Sequence, residues 1–253
     1  MKKNFTLIEL LVVIAIIAIL AGLVMPALGH AQAKGRTTEC INNKKQVITS
    51  LRMYGNDHSS MIPYMIKVDS TMRPYSWIMG GLGTEDSEAN YNKELVSKKV
   101  LFCNTLNKKK LSDDGTNAFG MVDVDFGEPS GWYKTNRTQV GRFVAKDGSS
   151  VAYVLEKMKS PSDMILLADS FSVDQQSDQE SPYWTFNPNG GKPNQNGAAT
   201  ATADDARIAT VHSGSSVVAY ADGRAEAMTP GQLSGSSLKL TKYYDANFDA
   251  KDL

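Results

Sequence analysis

The chain has 253 residues, enough for one or two ordinary domains, and its 27 Lys and Arg residues balance its 27 Asp and Glu residues. A formal net charge of zero argues against a nucleic-acid-binding protein, because such proteins usually carry a basic excess. With 42% hydrophobic and 21% charged residues, the chain is not disordered as a whole. Its two cysteines exclude a disulfide-dense scaffold and a four-cysteine zinc site.

The N-terminal region contains an apolar run, residues 5–25, which only Thr6, Glu9 and Gly22 interrupt. As a helix, these 21 residues would span about 32 Å, which matches a bilayer hydrocarbon core of about 30 Å. A plain membrane anchor is the simplest interpretation. A cleaved secretory signal is a second one, with Ala31-Gln32-Ala33 as its small-x-small site.

Glu9 favours a third interpretation. A carboxylate within an apolar helix costs about 2.5–3.5 kcal/mol at the bilayer centre and less near an end. Neither a plain anchor nor a secretory signal needs this charge, so Glu9 indicates a partner of opposite charge.

The segment from Lys2 to Glu9, followed by LLVVIAIIAILA, resembles the leader of type IV prepilins and pseudopilins. The resemblance implies cleavage between Asn4 and Phe5 by a prepilin peptidase and N-methylation of Phe5. It also implies that Glu9 meets the N-terminal amine of a neighbouring subunit and sets the register of a filament. The chain departs from the family at Asn4, where the family carries glycine or alanine before the cut.

The helix is predicted to continue beyond the apolar run, from about Thr6 to Tyr54. Pro26 should bend it rather than end it. Beyond Pro26, the apolar residues share one face on which a domain can pack, whereas Lys44, Lys45 and Arg52 lie at other positions; this face comprises Cys40, Ile41, Val47, Ile48, Leu51 and Tyr54.

The middle of the chain has little periodicity, and residues 56–150 are interpreted as loops and short elements. Residues 172–205 are rich in turn-forming residues and predict a long surface loop. Strands are predicted at Val151–Leu155 and Met164–Asp169 from their β-prone composition.

A three-stranded β-meander is predicted over residues 207–228. Its strands are Arg207–Val211, Ser216–Ala221 and Arg224–Met228. Asp222-Gly223 between the last two is a strong hairpin signal, because a type I′ turn needs positive φ at both central positions.

The same stretch carries a second resemblance. His212, nine residues and Asp222-Gly223 are similar to the H-x9-D-G motif of prepilin-like bacterial proteins. Three further segments fit that set: Pro26-Ala27-Leu28, Cys40-Ile41-Asn42-Asn43 and Ser160-Pro161-Ser162 with Ala168-Asp169. Phe102-Cys103-Asn104 stands where the family often has Cys-Pro.

Cys40 and Cys103 form an even pair on a domain that the resemblance directs to the periplasm. An oxidising compartment permits a disulfide between them, with a loop of about 60 residues that contributes about 4 kcal/mol in the chain-entropy model. Two buried thiols are the alternative. His212 and Asp222 could approach each other across paired strands, but the structural interpretation is favoured, with Asp222 and Gly223 forming the turn and His212 capping the hairpin.

No cofactor or metal site is expected, with calcium at acidic clusters as the alternative. The clusters fit no EF-hand loop, so solvated acidic loops are favoured; they are Asp123 with Asp125, Asp174 with Asp178 and Glu180, and Asp245 with Asp249.

These expectations combine into an α+β, pilin-like subunit, with a long N-terminal transmembrane helix whose C-terminal half packs on a small antiparallel β-sheet. It has a leader peptide at 1–4, a transmembrane or filament-core helix at 5–25, its amphipathic continuation at 26–55 and a periplasmic globular domain at 56–253. The implied location is the inner membrane, with a single pass and the globular domain in the periplasm, or an envelope-spanning or extracellular filament. The implied partners are a prepilin peptidase, other subunits and an inner-membrane assembly platform, with no nucleic acid and no catalytic residue.

A membrane-tethered binding module for polysaccharide is the alternative function. It would require exposed aromatic side chains that stack on sugar rings, and the candidates are Trp132, Tyr133, Tyr183 and Trp184. A periplasmic hydrolase would need a catalytic cleft, and the sequence places none.

Overall fold

The computed structural model describes residues 7–68, 70–83, 93–106, 112–113, 115–124, 132–174, 179–189 and 205–253. The predicted cleavage position between Asn4 and Phe5 lies outside the described residues, as do residues 190–204 of the predicted surface loop.

Helix α1 runs from Leu7 to Asp57 without interruption and contains 51 residues. At about 1.5 Å per residue it is about 77 Å long. The predicted helix, Thr6 to Tyr54, is therefore confirmed to within a few residues at each end. Pro26 lies inside α1 and does not end it, as predicted.

The other helices are short. They are α2 (Tyr75–Met79), α3 (Trp132–Val140) and α4 (Pro230–Gly235), with 3₁₀ turns at Lys98–Val100 and Leu155–Lys157. α4 begins with a capping box, in which the Thr229 hydroxyl accepts from the Gln232 N–H and the Gln232 side chain accepts from the Thr229 N–H.

The strands are β1 (Met61–Val68), β2 (Thr71–Pro74), β3 (Gly120–Val122), β4 (Val144–Asp147), β5 (Ser150–Val154), β6 (Ile165–Ala168), β7 (Ser170–Asp174), β8 (Gln179–Pro182), β9 (Thr185–Phe186), β10 (Asp205–Ala209), β11 (Ser216–Tyr220), β12 (Ala225–Met228), β13 (Lys242–Tyr244) and β14 (Ala250–Asp252). Within the described residues they form three sheets, in the orders β2-β1-β5-β4, β12-β11-β6-β3-β9 and β14-β13-β10-β7-β8. Pairing is antiparallel except for β3 with β9 and β10 with β13, which are parallel. The chain is therefore an α+β protein, and the coarse fold class agrees with the prediction.

The second half of α1 packs on the sheets, where it contacts β1, β11 and β12. Its buried face contains Val47, Ile48 and Leu51, each with no exposed surface. β6 and β11 are buried along their whole length, because α1 covers β11 and β11 pairs with β6. The predicted apolar stripe is thus the contact between helix and domain.

The predicted three-stranded meander is wrong in its first strand. β11 and β12 form the hairpin around Asp222-Gly223 as predicted, and Gly223 has a φ of +101°. β10 instead belongs to another sheet, where it pairs with β7 and with β13. The turn between β10 and β11 therefore connects two sheets.

The prediction of a long loop at 172–205 is wrong in its first half, which contains the end of β7 and the whole of β8 and β9. The region 56–150, interpreted as loops and short elements, contains β1, β2 and β4, which belong with β5 to one antiparallel sheet. The turn-rich composition of these segments hid short strands, which pair as local hairpins, β1 with β2, β4 with β5 and β7 with β8, and with more distant strands.

Candidate functional site

The first half of α1 is an apolar surface, which we call the apolar arm (Leu7–Met25). The exposed fractions of its large side chains range from 48% at Val12 to 79% at Leu7. α1 is long and apolar enough to cross a membrane, and its most apolar stretch has none of its residues buried. It is therefore a candidate membrane-spanning helix, and no other helix of the described residues meets that criterion.

Glu9 lies in the first turn of α1, at the end of the apolar arm. A carboxylate in the first turn is favourable, because the helix dipole is positive there. Its side chain is exposed in the isolated chain, so it faces the surroundings that the rest of the arm would meet.

A second candidate site is a group of wholly or nearly buried polar side chains, which we call the buried cluster: Cys40, Lys44, Cys103, Asp169 and His212. Cys40 and Lys44 lie one turn apart on α1, and Cys103 follows the 3₁₀ turn at 98–100. Asp169 directly follows β6, and His212 lies in the turn after β10. The cluster therefore joins the helix to both of the five-stranded sheets.

An ion pair forms the base of the buried cluster. The Lys44 Nζ atom lies 2.5 Å from the Asp169 Oδ1 atom, and both side chains are fully buried. Burial alone would lower the pKa of Lys44 and raise that of Asp169, but their mutual attraction outweighs burial. The pKa of Lys44 is raised and that of Asp169 is lowered, so both groups are charged.

Further contacts hold this pair. The Lys44 ammonium lies 3.7 Å from the centroid of the Phe119 ring and donates to the Cys40 sulfur at 3.2 Å. The Asp169 Oδ2 atom accepts the backbone N–H of Val217 at 2.8 Å. The burial of the pair is compensated, because the ammonium has an acceptor and an aromatic face beside it and the carboxylate has a backbone donor.

The two thiols and the imidazole occupy the other side of Asp169. The Cys40 thiol donates to the Asp169 Oδ1 atom at 3.4 Å, and the Cys103 sulfur lies 3.3 Å from the His212 Nε2 atom. A hydrogen bond with Cys40, against the effect of burial, lowers the pKa of Cys103 to about 5. Burial raises the pKa of Cys40, so the two thiols differ in acidity.

Cys40 and Cys103 are unbonded thiols in this structure, but they lie side by side. One donor atom from each of Cys40, Cys103, Asp169 and His212 lies within 4.8 Å of every other. The disulfide stays a prediction, and the structure adds Asp169 and His212 to the surroundings of the pair. These four donor types together suit a transition metal better than calcium.

His212 and Asp222 lie at opposite ends of β11, so the disfavoured possibility that they approach each other does not hold. The His212 backbone bridges Ser215 and thus closes the turn before β11. The Asp222 side chain accepts from the Arg224 N–H at 2.9 Å, and its carbonyl accepts from the Arg52 guanidinium. Asp222 and Gly223 therefore shape the hairpin, whereas the His212 side chain belongs to the buried cluster.

The aromatic residues proposed to bind sugars are buried. The exposed fractions are 1% for Trp132, 8% for Tyr133, 7% for Tyr183 and 3% for Trp184. They cannot form a stacking platform, so the polysaccharide-binding alternative loses the feature on which it depended.

The acidic clusters considered for calcium have other partners where the structure describes them. Asp123 is fully buried and accepts from the Tyr64 hydroxyl at 3.0 Å. Asp245 and Asp249 both approach the Lys251 ammonium, at 3.2 and 3.6 Å. Asp125 and Asp178 lie outside the described residues.

Sequence reasoning singled out Cys40, Cys103, the Ala168-Asp169 segment and His212 separately, but it did not bring them together. Lys44 was placed off the apolar stripe, although it is fully buried. Its spacing of four residues from Cys40 was the available signal, because residues at i and i+4 share a helix face.

No family model, curated protein or solved structure matches the chain. Within the described residues, the fold and the sites define an α+β protein with one candidate membrane-spanning helix, α1. The second half of α1 contacts a β-rich domain through the buried cluster.

Proposed function

We propose that the chain is a structural subunit of a filament of the type IV pilus or type II secretion pseudopilus kind. The observation that carries the proposal is the apolar arm, an apolar helix with no buried residue and with one carboxylate, Glu9, in its first turn. A membrane can cover such an arm, and so can the arms of neighbouring subunits.

The carboxylate favours assembly over simple anchoring. In a low-dielectric surrounding, an isolated carboxylate is costly, and an amine at contact distance compensates it. Removal of residues 1–4 would create such an amine on Phe5. An incoming subunit would then offer its Phe5 amine to Glu9 of a neighbour, and this pairing would fix the axial register of the helices.

The continuity of α1 supports the same function. The helix passes from the apolar arm into the packed domain without a break, so packing of the arms determines where the domains lie. In this proposal a prepilin peptidase and an inner-membrane assembly platform act on the chain, and the globular domain faces the periplasm.

The test compares variants of Glu9 for membrane insertion and for incorporation into sheared filaments or into cross-linked ladders. Both Glu9→Ala and Glu9→Gln remove the charge, and we expect both to insert normally but to lose incorporation. Asp57→Ala is the matched control, because it removes a carboxylate from the other end of the same helix. Normal incorporation of Glu9→Gln would contradict a role for the charge.

Processing is tested by N-terminal sequencing and mass analysis of the chain purified from membranes. We expect N-methylated Phe5 as the first residue. A first residue at Lys34 would identify a secretory signal, and an intact Met1 would identify a plain anchor; either result would refute the filament proposal.

A further inference from the structure

The four candidate metal ligands of the buried cluster lie close enough together to share one ion, because one donor atom from each lies within 4.8 Å of every other. Zinc bonds of about 2.3 Å to sulfur and about 2.0–2.2 Å to nitrogen or oxygen give tetrahedron edges of about 3.4–3.8 Å. The Cys103 sulfur lies 3.3 Å from His212 Nε2, the Cys40 sulfur lies 3.4 Å from Asp169 Oδ1, and His212 Nε2 lies 3.4 Å from Asp169 Oδ2. These three separations are close to the short end of the tetrahedral range, and the two that reach Asp169 end on different oxygens of its carboxylate, so the carboxylate would turn to present one oxygen to the ion.

The chemistry of the donors points to the same ion. Two sulfurs, one imidazole nitrogen and one carboxylate oxygen form a set that zinc prefers over calcium or magnesium. All four residues are buried, with exposed fractions between 0% and 5%. Four protein ligands fill a tetrahedron and leave no open position, which is the arrangement of a structural site rather than a catalytic one.

Lys44 balances the charge of such a site. Two thiolates and one carboxylate carry three negative charges, of which zinc neutralises two. The Lys44 ammonium, 2.5 Å from Asp169 Oδ1 and 3.2 Å from the Cys40 sulfur, supplies the third positive charge. A fully buried site that is neutral overall avoids the desolvation penalty of an uncompensated ion.

The imidazole of His212 is oriented for metal binding. Its Nδ1 atom lies 3.4 Å from the Thr37 hydroxyl oxygen, and that hydroxyl donates its own hydrogen to the Ala33 carbonyl. The Thr37 oxygen can therefore accept a hydrogen from Nδ1, and with that hydrogen in place a metal ion would take the Nε2 lone pair on the side of Cys103 and Asp169. Metal-bound histidines characteristically use their second nitrogen in this way.

We propose that Cys40, Cys103, Asp169 and His212 bind one zinc ion, which fastens α1 to the two five-stranded sheets. Cys40 lies on α1 and Asp169 directly follows β6, while Cys103 and His212 lie in connecting segments. The site does not depend on filament assembly, and its test is independent of that of Glu9.

The first measurement is zinc uptake by the full-length chain in detergent, reduced and handled under nitrogen. After incubation with zinc sulfate and desalting, we expect one zinc per chain. Zinc should protect both thiols from alkylation and should raise the thermal unfolding midpoint, and a chelator should reverse both effects. Cobalt in place of zinc should give the visible absorption of a tetrahedral ion and a thiolate-to-cobalt charge-transfer band.

Two adjacent threonines provide a matched pair of variants that leaves every ligand in place. Thr37 and Thr38 each donate to the carbonyl four residues earlier, at 3.0 Å, but only Thr37 contacts His212. We expect Thr37→Val to weaken zinc binding about 10–100-fold, as loss of a hydrogen bond to a ligand does elsewhere. Thr38→Val should leave the affinity unchanged.

His212→Ala should abolish the tetrahedral cobalt spectrum, whereas His58→Ala, which changes an exposed histidine of the same chain, should not. No zinc uptake by the reduced wild-type chain would overturn the proposal. So would a Cys40–Cys103 disulfide in the chain as purified, detected as a mass lower by two hydrogens, because the thiolates would then be committed to each other.

Discussion

The Nζ atom of Lys44 lies 2.5 Å from Oδ1 of Asp169, and both side chains are fully buried. This ion pair links the second half of α1 to the end of β6. It crosses 125 positions of sequence. A lysine buried to this extent is retained only when its charge is paired. The packing between helix and sheet should therefore tolerate a substitution of Lys44 or Asp169 only as far as the charge that remains is compensated.

Lys44→Met should destabilise the chain by about 3–5 kcal/mol, because it leaves the Asp169 charge buried without its cation. Adding Asp169→Asn should cost less than the sum of the two single changes, since both charges then disappear. Urea unfolding followed by tryptophan fluorescence measures both effects. Lys45→Met changes the exposed neighbour and should stay within about 0.5 kcal/mol; a similar cost for both lysines would refute the pairing argument.

Packing of α1 on the sheets predicts a contrast between its two faces. Leu51 has no exposed surface, whereas the Met53 side chain on the same helix is 63% exposed. Leu51→Ala should cost about 2–5 kcal/mol through lost burial and the resulting cavity, and Met53→Ala should stay within about 0.5 kcal/mol. Equal costs would mean that the helix does not pack through the predicted stripe.

The hairpin between β11 and β12 predicts a backbone effect at Gly223. Its φ of +101° disfavours any side chain, and an added Cβ atom would lie 3.0 Å from the Arg52 guanidinium. Gly223→Ala should cost about 1–3 kcal/mol. Gly231→Ala, in α4 with open space around the glycine, should be neutral or stabilising by about 0.5–1 kcal/mol. Thermal unfolding of the two variants separates these outcomes.

Tyr220 predicts a loss of stability at alkaline pH. Burial, with a hydrogen bond from its hydroxyl to Glu226 at 2.7 Å, raises the pKa of Tyr220 to about 12. The folded chain therefore favours the protonated phenol. This contribution is complete below the unfolded pKa of about 10 and disappears as the pH rises through about 12.

Tyr220→Phe cannot ionise, so its unfolding free energy should fall less than that of the wild type between pH about 10 and about 12. Urea unfolding across this range measures the difference. If the unfolding free energies of the wild type and Tyr220→Phe changed with pH in the same way, groups other than Tyr220 would cause the alkaline loss of stability.

Local signals predicted part of the fold. The apolar run and the seven-residue steps of its continuation gave α1, and Asp222-Gly223 gave the β11–β12 hairpin, because helices and tight hairpins depend on neighbouring residues. Partners that are distant in sequence were missed. β10 pairs with β7 and with β13, and no turn signal encodes either pairing.

The buried cluster was missed for the same reason. Its thiols, carboxylate and imidazole lie 43 to 66 positions from one to the next along the chain, and sequence composition does not report which of them meet in the fold. Lys44 shows a second limit, because a charged residue is expected at the surface unless its partner is known. The polysaccharide-binding alternative required the aromatic residues near 132 and 184 to be exposed, but the core of the β-rich domain encloses them.

The stretch of α1 that follows the apolar arm sets the distance between this arm and the β-rich domain. Residues 26–36 are helical and none of them is buried, whereas Thr37 and Glu39 already contact the domain at His212 and Asn104. At about 1.5 Å per residue, residues 26–36 rise about 17 Å. If the arm is embedded in lipid, this uncovered helical segment holds the β-rich domain about that far from the bilayer.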